Sequence, residues 1–328
     1  MHAKNCSTRR KFLRGMGAAA AACFQPGKVL ASSILEAPRL KSPFRVAVIN
    51  DEISQDFGRS CEVAAREFGM QWIELRGMWD KNVLNLDAKE TAEVQRILQK
   101  YQLRVTDIAS PLFKVDWPGA PKSRFSPKHD EFHAGFTFAN QDEVLERCFA
   151  AARQFETDRV RCFDFWRLDH PAPHRDAMNE KLRNAAEKAR KPGIILLLEN
   201  EPACNTATAA EAVKVLQAVN SPNLMLNWDA ANAAAGGENP YPEGYGLLPK
   251  DRIGHCHCKD TSRLGSEDWA AMGRGVVNWL GLFEALKRDG YHFAVSLETH
   301  WDGGGTPEKS SRQSWAGMKR LLQKAGAA

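Results

Sequence analysis

The alternation of short apolar runs with amphipathic stretches predicts an α/β protein whose eight parallel strands close into a (β/α)8 barrel. Three observations carry that expectation. Eight runs of strand length are separated by segments whose apolar residues recur at the helical period. No glycine-rich dinucleotide fingerprint follows the first run, which weighs against an open doubly wound sheet. The long connections 111–140, 230–251 and 260–278 all follow strands, the end at which barrels of this kind carry their working loops.

In chain order, the first segment reads as an export signal. Ser7-Thr8-Arg9-Arg10-Lys11-Phe12-Leu13-Arg14 is a twin-arginine motif, the apolar run 15–24 follows it, and Val29-Leu30-Ala31 offers a signal-peptidase site after Ala31. The run is too short to span a bilayer. Residues 1–31 are therefore expected to be a twin-arginine signal peptide, 32–43 a linker rich in small residues and proline, and 44–328 a single barrel domain. The twin-arginine route resembles that of proteins exported already folded. The expected location is periplasmic or otherwise extracytoplasmic, with no stable membrane association after cleavage. Ala20-Ala21-Ala22-Cys23 is a poor lipobox, so a lipid anchor at Cys23 is the minor alternative.

Charge follows the same division. Lys4, Arg9, Arg10, Lys11, Arg14 and Lys28 contribute +6 before residue 32, where there is no acid; subtracting this from the formal +5 leaves −1 for the body. Such a body has no electrostatic basis for binding nucleic acid. Cys61, Cys148, Cys162, Cys204, Cys256 and Cys258 are scattered through it without a dense framework, so they read as buried free thiols.

The predicted strands are 44–50, 72–75, 105–110, 159–163, 194–199, 223–229, 253–259 and 293–298. Helical periodicity covers 60–68, 88–101, 141–155, 176–190, 207–219, 279–288 and 310–324. Gly69 and Gly290 stand where helices should stop, and Pro192-Gly193 breaks the chain before the fifth strand.

The last four strands each end in a metal-capable side chain. Ile194-Ile195-Leu196-Leu197-Leu198 runs to Glu199, Leu224-Met225-Leu226-Asn227-Trp228 to Asp229, Gly254-His255-Cys256 to His257, and Val295-Ser296-Leu297 to Glu298. The intervals of 30, 28 and 41 residues are about one βα unit each, so successive strands deliver one ligand apiece to the same mouth. Three carboxylates and one imidazole suit one divalent ion, Mn2+ or Mg2+ first and Zn2+ or Co2+ after them. The period of two places His255 on the same face as His257, one layer deeper, as its support, and turns Cys256 and Cys258 outward to pack beneath helices.

Several segments together resemble one superfamily. Leu198-Glu199-Asn200-Glu201-Pro202, Asp229-Ala230-Ala231-Asn232, Arg252-Ile253-Gly254-His255-Cys256-His257-Cys258-Lys259-Asp260, Gly273-Arg274-Gly275-Val276-Val277-Asn278-Trp279 and Ser296-Leu297-Glu298 are similar to the sugar phosphate isomerase/epimerase superfamily, the xylose isomerase-like TIM barrels. The resemblance spans roughly residues 44 to 325 and implies that Glu199, Asp229, His257 and Glu298 are metal ligands. In ketose 3-epimerases of the superfamily an arginine six residues after the ligand histidine contacts substrate, and Arg263 has that spacing. Two departures stand out: Asn232 replaces their histidine three residues after the aspartate, and Asn205 replaces an acidic residue six after the first glutamate.

The resemblance and the ligand set imply a divalent-metal-dependent isomerase or epimerase acting on a keto- or aldo-sugar through an enediolate. Glu199 and Glu298, from strands 5 and 8 on opposite sides of the mouth, are the expected catalytic pair, one removing the carbon-bound proton and the other returning it. A leaving group β to the carbonyl would make the enzyme a lyase or dehydratase on a keto-sugar, cyclitol or 3-keto-glycoside. More remote readings are an abasic-site endonuclease-like hydrolase and a non-catalytic sugar-binding protein; nine histidines and the body charge oppose the first. The expected partner is a small carbohydrate, and homo-oligomerisation stays open.

Asn232, Lys259, His300 and Glu201 join Arg263 as expected substrate contacts. Glu74 and Arg76 read as a structural ion pair on strand 2, and Trp79, Trp117, Trp166 and Trp301 as aromatic faces beyond strand ends. His129 and His133 mark the lid after strand 3, and Gly303-Gly304-Gly305-Thr306 is a candidate anion cradle.

Overall fold

In the computed structural model, which describes residues 38–128 and 134–328, eight apolar runs form eight parallel strands. They are β1 (Arg45–Val48), β2 (Trp72–Leu75), β3 (Arg104–Leu112), β4 (Arg159–Cys162), β5 (Ile195–Glu199), β6 (Leu224–Asp229), β7 (Ile253–Cys258) and β8 (Ala294–Leu297). Each pairs in parallel with the next from β2 to β8, and β8 pairs with β1. A parallel bridge from Ile49 to Glu74 draws β1 toward β2, so the sheet is a nearly closed barrel. The expected signal peptide, Cys23, and the lid histidines His129 and His133 lie outside the described residues.

Helices follow where local chemistry starts and stops them. Asp87 caps the helix Ala88–Tyr101 reciprocally with Glu90, and Gln102 ends it in the left-handed conformation. Thr208 caps the helix Ala209–Val219, Asn278 caps the helix Trp279–Arg288, and Thr306 followed by Pro307 opens Pro307–Lys324. The first helix begins three residues earlier than its periodicity suggests, at Phe57, because Asp56 accepts the Arg59 backbone N–H; it widens into a π turn over Val63–Glu67 before Gly69 stops it at φ 74°.

Strand alternation sorts the core. Leu196, Leu198, Leu224, Leu226, Trp228, Cys256, Cys258, Val295 and Leu297 point outward into one apolar cluster beneath the helices. Burying each leucine there is worth roughly 1.5–3 kcal/mol. The six described cysteines are all buried free thiols. Inside the barrel stand Glu74, Asp107, Arg161, Asn227, His255, His257 and Ser296, all buried and polar. An interior of that composition is a site in waiting, since polar groups survive burial only when partnered.

The loop after β7 is organised by one carboxylate. Asp260 accepts backbone N–H groups from Thr261, Gly273, Gly275 and Val277, which folds residues 261–277 back over the mouth. Gly273 sits at φ 79°, and a Cβ on Gly275 would overlap Asp260 Oδ1 and the Thr261 carbonyl. The Gly-Arg-Gly motif is thus a packing requirement.

Gly275→Ala is expected to lower unfolding stability by about 3 kcal/mol, through overpacking and disrupted carboxylate bonds. Gly246→Ala, where nothing lies within 4 Å, is the control and should stay within about 0.5 kcal/mol. Urea titration of both variants reads the difference.

Candidate metal centre

The ends of β5, β6, β7 and β8 converge. One ligand-capable atom from each of Glu199, Asp229, His257 and Glu298 lies within 4.8 Å of the others, and all four residues are buried. His257 Nδ1 is 3.3 Å from Glu199 Oε1, 3.4 Å from Glu298 Oε2 and 3.9 Å from Asp229 Oδ2. Parallel register places Asp229 and Ser296 directly beside His257, so strand pairing itself aligns the four ends.

Guanidinium groups grip the outer oxygens of the two glutamates. Arg161, buried inside the barrel, donates to Glu199 Oε2 at 3.1 Å and to the carbonyls of Ala109 and Ser110. Arg76 donates to Glu298 Oε1 at 3.2 Å while pairing with Asp51 and Glu52. Each glutamate thereby keeps its other oxygen, Glu199 Oε1 or Glu298 Oε2, turned toward His257. Burial raises the pKa of both carboxyls, but His257 and Arg161 hold Glu199 at about 2, and Lys259, His300 and His257 hold Glu298 well below the usual range. Asp229 behaves oppositely. Its burial, with Glu298 and Glu199 nearby, outweighs Lys259 and lifts it to about 6. His257 loses to burial but gains more from Glu74, Glu199 and Glu298, so its pKa lies well above the ordinary value.

Asp229 also builds local structure: its Oδ1 accepts the Asn232 backbone N–H and caps the short helix Ala230–Ala235. Asp229 Oδ2 is buried without a hydrogen bond. Three buried carboxylates and an imidazole nitrogen converging this closely fit a divalent cation, which these four side chains could hold; here the Lys259 ammonium stands 2.9 Å from Asp229 Oδ2.

The other expected contacts sort by position. Lys259 enters the cluster, its Nζ 2.6 Å from Glu298 Oε2 and 2.9 Å from Asp229 Oδ2. His300, in the left-handed region at φ 43°, brings Nε2 to 3.3 Å from Glu298 Oε1. Asn232 Nδ2 donates to Glu199 Oε1 at 3.2 Å. Glu201 sits on the rim, ion-paired with Lys114 at 2.6 Å. His255 lies one layer deeper, its ring perpendicular to that of His257 with centroids 5.3 Å apart.

Arg263 is not brought to the cluster. Ser262 N–H bonds to the Asp268 carbonyl, turning residues 262–268 outward and leaving Arg263 exposed; among the described residues its guanidinium has no ion pair. The same turn carries Trp269 inward, 5.0 Å from Lys259 Nζ and 5.6 Å from the His300 ring. The expected Glu74–Arg76 ion pair is also corrected. Glu74 points into the barrel toward His257, whereas Arg76, beyond the strand end, reaches Asp51, Glu52 and Glu298. Asn205 bonds to the Asp164, Phe165 and Trp166 carbonyls, a loop-holding role far from acid chemistry.

Of the tryptophans, Trp301 lines a cavity of about 350 Å³ beside Glu52 and His300, while Trp117 packs against Phe138 and Phe165, Trp79 against Phe57, and Trp166 beneath Lys114. The glycine run makes no open cradle: Gly304 N–H donates to Ser310 Oγ and Gly305 N–H to the Asp302 carbonyl. Arg161, Asp107 and Asn227 escaped the sequence reading; their signal was the inward half of strand alternation on strands where only the end residue was weighed.

Comparison with known proteins agrees with this architecture. The family described as xylose isomerase-like TIM barrel matches residues 63–321. A 3-dehydroshikimate dehydratase of Bacillus anthracis is 25% identical over 257 residues, 73% of this chain and 83% of the relative. Among solved structures, the IOLI protein with a bound zinc atom superposes at TM-score 0.66 with 16% identity, covering 86% of this chain and 99% of that one. The D-psicose 3-epimerase of Clostridium cellulolyticum H10 superposes at TM-score 0.63 with 16% identity and the same coverages. At these identities the two structural likenesses speak to the fold.

Added Mn2+ is expected to stabilise the protein at neutral pH by about 2.7 kcal/mol when present at about a hundredfold excess over Kd, and EDTA to reverse the gain. Asp229, lifted to about 6, must be deprotonated to bind a cation, so the gain shrinks as pH falls through that value. Thermal melts with and without Mn2+ on either side of pH 6 check this, and Asp229→Asn, which takes one carboxylate out of the group, should shrink the gain on both sides.

Proposed function

Because the chain belongs to the xylose isomerase-like TIM barrel family, whose members compared above include enzymes, we propose that it is a divalent-metal-dependent isomerase or epimerase of a keto- or aldo-sugar or a derivative of one. The observation that supports the reading most directly is the meeting of Glu199, Asp229, His257 and Glu298 ligand atoms within 4.8 Å. A divalent ion held by these four side chains supplies Lewis acidity toward the carbonyl and neighbouring hydroxyl oxygens of the substrate. Mn2+ or Mg2+ suits three carboxylates, and zinc is supported by the IOLI relative.

The protein's own groups do the rest. Arg161 and Arg76 fix the two glutamates so that Glu199 Oε1 and Glu298 Oε2 face the cluster from opposite sides. One takes the proton from the carbon beside the carbonyl, and the other returns a proton to the opposite face or to the neighbouring carbon. Lys259 Nζ stands where it can donate to oxygen as negative charge develops. Trp269 and Trp301 offer apolar faces for the C–H side of a sugar ring, with His300 and Glu201 toward its hydroxyls. The twin-arginine segment supports export of the folded chain, which favours a free or oxidised sugar over a phosphorylated one.

A second reading is a lyase or dehydratase. It is favoured by the proton-bearing side chains Lys259 and His300 gathered on Glu298 but not on Glu199, and by the dehydratase relative. There the base takes the α-proton, the bond from the β-carbon to its oxygen substituent breaks with the electron pair leaving on oxygen, and Lys259 or His300 protonates the departing oxygen.

The test follows deuterium incorporation from solvent into a panel of ketoses and 3-keto-glycosides, with bound metal measured alongside. Wild type is expected to exchange one carbon-bound hydrogen, and Glu298→Gln to slow exchange about 10²- to 10⁴-fold. No exchange in any substrate by metal-loaded protein would sink the mechanism. A sugar product identifies the isomerase and an unsaturated product the lyase.

A further inference from the structure

Beneath the candidate ligands lies a chain of buried polar side chains in contact, none of them exposed: Glu74, His257, Asn227, His255 and Asp107. His257 Nε2 is 3.0 Å from Glu74 Oε1 and 3.2 Å from Asn227 Nδ2. The other end of that amide, Asn227 Oδ1, is 3.1 Å from His255 Nδ1. His255 Nε2 then meets Asp107 Oδ1 at 3.1 Å and Glu74 Oε2 at 3.6 Å.

Counting protons along this chain selects one arrangement. With the amide nitrogen of Asn227 toward His257, that nitrogen needs a bare Nε2 as acceptor, and the bare nitrogen then faces the Glu74 carboxylate. The amide oxygen would likewise draw a proton to His255 Nδ1 and leave Nε2 bare against Asp107 and Glu74; His255 Nε2 is in fact buried without a hydrogen bond in that arrangement. Turning the amide by 180° about Cβ–Cγ exchanges its ends without moving its neighbours. His257 Nε2–H then donates to Glu74, Asn227 Nδ2–H donates to His255 Nδ1, and His255 Nε2–H donates to Asp107. Every contact of the chain becomes a donor facing an acceptor, and one proton on each ring, at Nε2, suffices.

We propose that Glu74 and Asp107, acting through the side-chain amide of Asn227, hold both histidines with their protons on Nε2, so that His257 presents a bare Nδ1 to Glu199, Asp229 and Glu298. The part concerning His257 rests on the metal reading of that cluster. Glu74 is thereby a positioning residue: it touches neither substrate nor ion, and it selects which nitrogen of His257 is free and locks the plane of the ring. Asp107 plays the same part for His255, which in turn leaves the Asn227 amide a single orientation.

The test labels the histidines with ¹⁵N and records long-range ¹H–¹⁵N correlations on the purified protein, first without added metal and then with Zn2+, assigning the rings through His255→Gln and His257→Gln. The expected spectra show His255 protonated at Nε2 alone in both states, and in the Zn2+-loaded state His257 protonated at Nε2 with Nδ1 perturbed by the ion. Calorimetric Mn2+ titration of Glu74→Gln is expected to show affinity weakened about 10- to 100-fold. A proton on Nδ1 of His255, or on Nδ1 of zinc-loaded His257, would overturn the proposal, as would Glu74→Gln binding Mn2+ as tightly as wild type. If Glu74→Gln does not fold, the wild-type spectra decide. Wild type that takes up no metal defeats the metal reading instead, and His255 still tests the chain.

Discussion

Three carboxylates forced together around one imidazole, all four buried at the mouth of the barrel, is the interaction to which the surrounding structure answers. Glu199, Asp229 and Glu298 are each at most 2% exposed, so their mutual repulsion is screened little. The protein offsets it with cations of fixed geometry: Arg161 and Arg76 on the outer oxygens and Lys259 between Asp229 and Glu298. Arginine suits the two outer positions because its fork reaches a carboxylate and a second acceptor at once, as Arg161 does with Glu199 and the Ala109 carbonyl. The balance is uneven by design of position: Glu199 and Glu298 each have a guanidinium, Asp229 has none, and Asp229 alone is lifted to about 6.

This electrostatic demand explains an interior that would otherwise be wrong for a barrel. Such cores are ordinarily filled by layers of branched apolar side chains. Here the apolar layers lie outside the sheet, beneath the helices, and the inside carries Glu74, Asp107, Arg161, Asn227 and the two histidines. Removing one partner from such a network leaves a buried charge or donor alone, which costs far more than the bond itself contributes. The network therefore works as a unit. Loop architecture extends it: the Asp260 carboxylate gathers four backbone N–H groups, and Trp279 Nε1 donates to the Lys259 carbonyl, holding the backbone from which Lys259 reaches inward.

Much of this was legible residue by residue. The eight strands and their order along the chain followed from alternation, and the ligand-capable ends of β5 to β8 from the one-unit spacing of Glu199, Asp229, His257 and Glu298. Lys259 and His300 were found by standing near those ends. Arg263 was expected from its spacing after His257, and spacing along a chain does not say which way a loop turns; the Ser262–Asp268 bond turns this one outward. Glu74 was misjudged because an arginine two residues away is a natural partner on paper, whereas Glu74 on β2 faces into the barrel and Arg76, past the strand end, reaches the rim carboxylates.

The sequence by itself determined the fold class, the identity of the four converging side chains and the outward packing of Cys256 and Cys258, because each depends on local periodicity, which two-residue and 3.6-residue repeats record directly. Only the tertiary structure decided which charges neutralise which, that Trp269 rather than Arg263 turns toward the mouth, and that Glu74 on β2 faces His257 on β7, 183 residues away. Those outcomes depend on barrel closure and on the tilt and stagger of strands that are distant in the chain, and no local pattern encodes them.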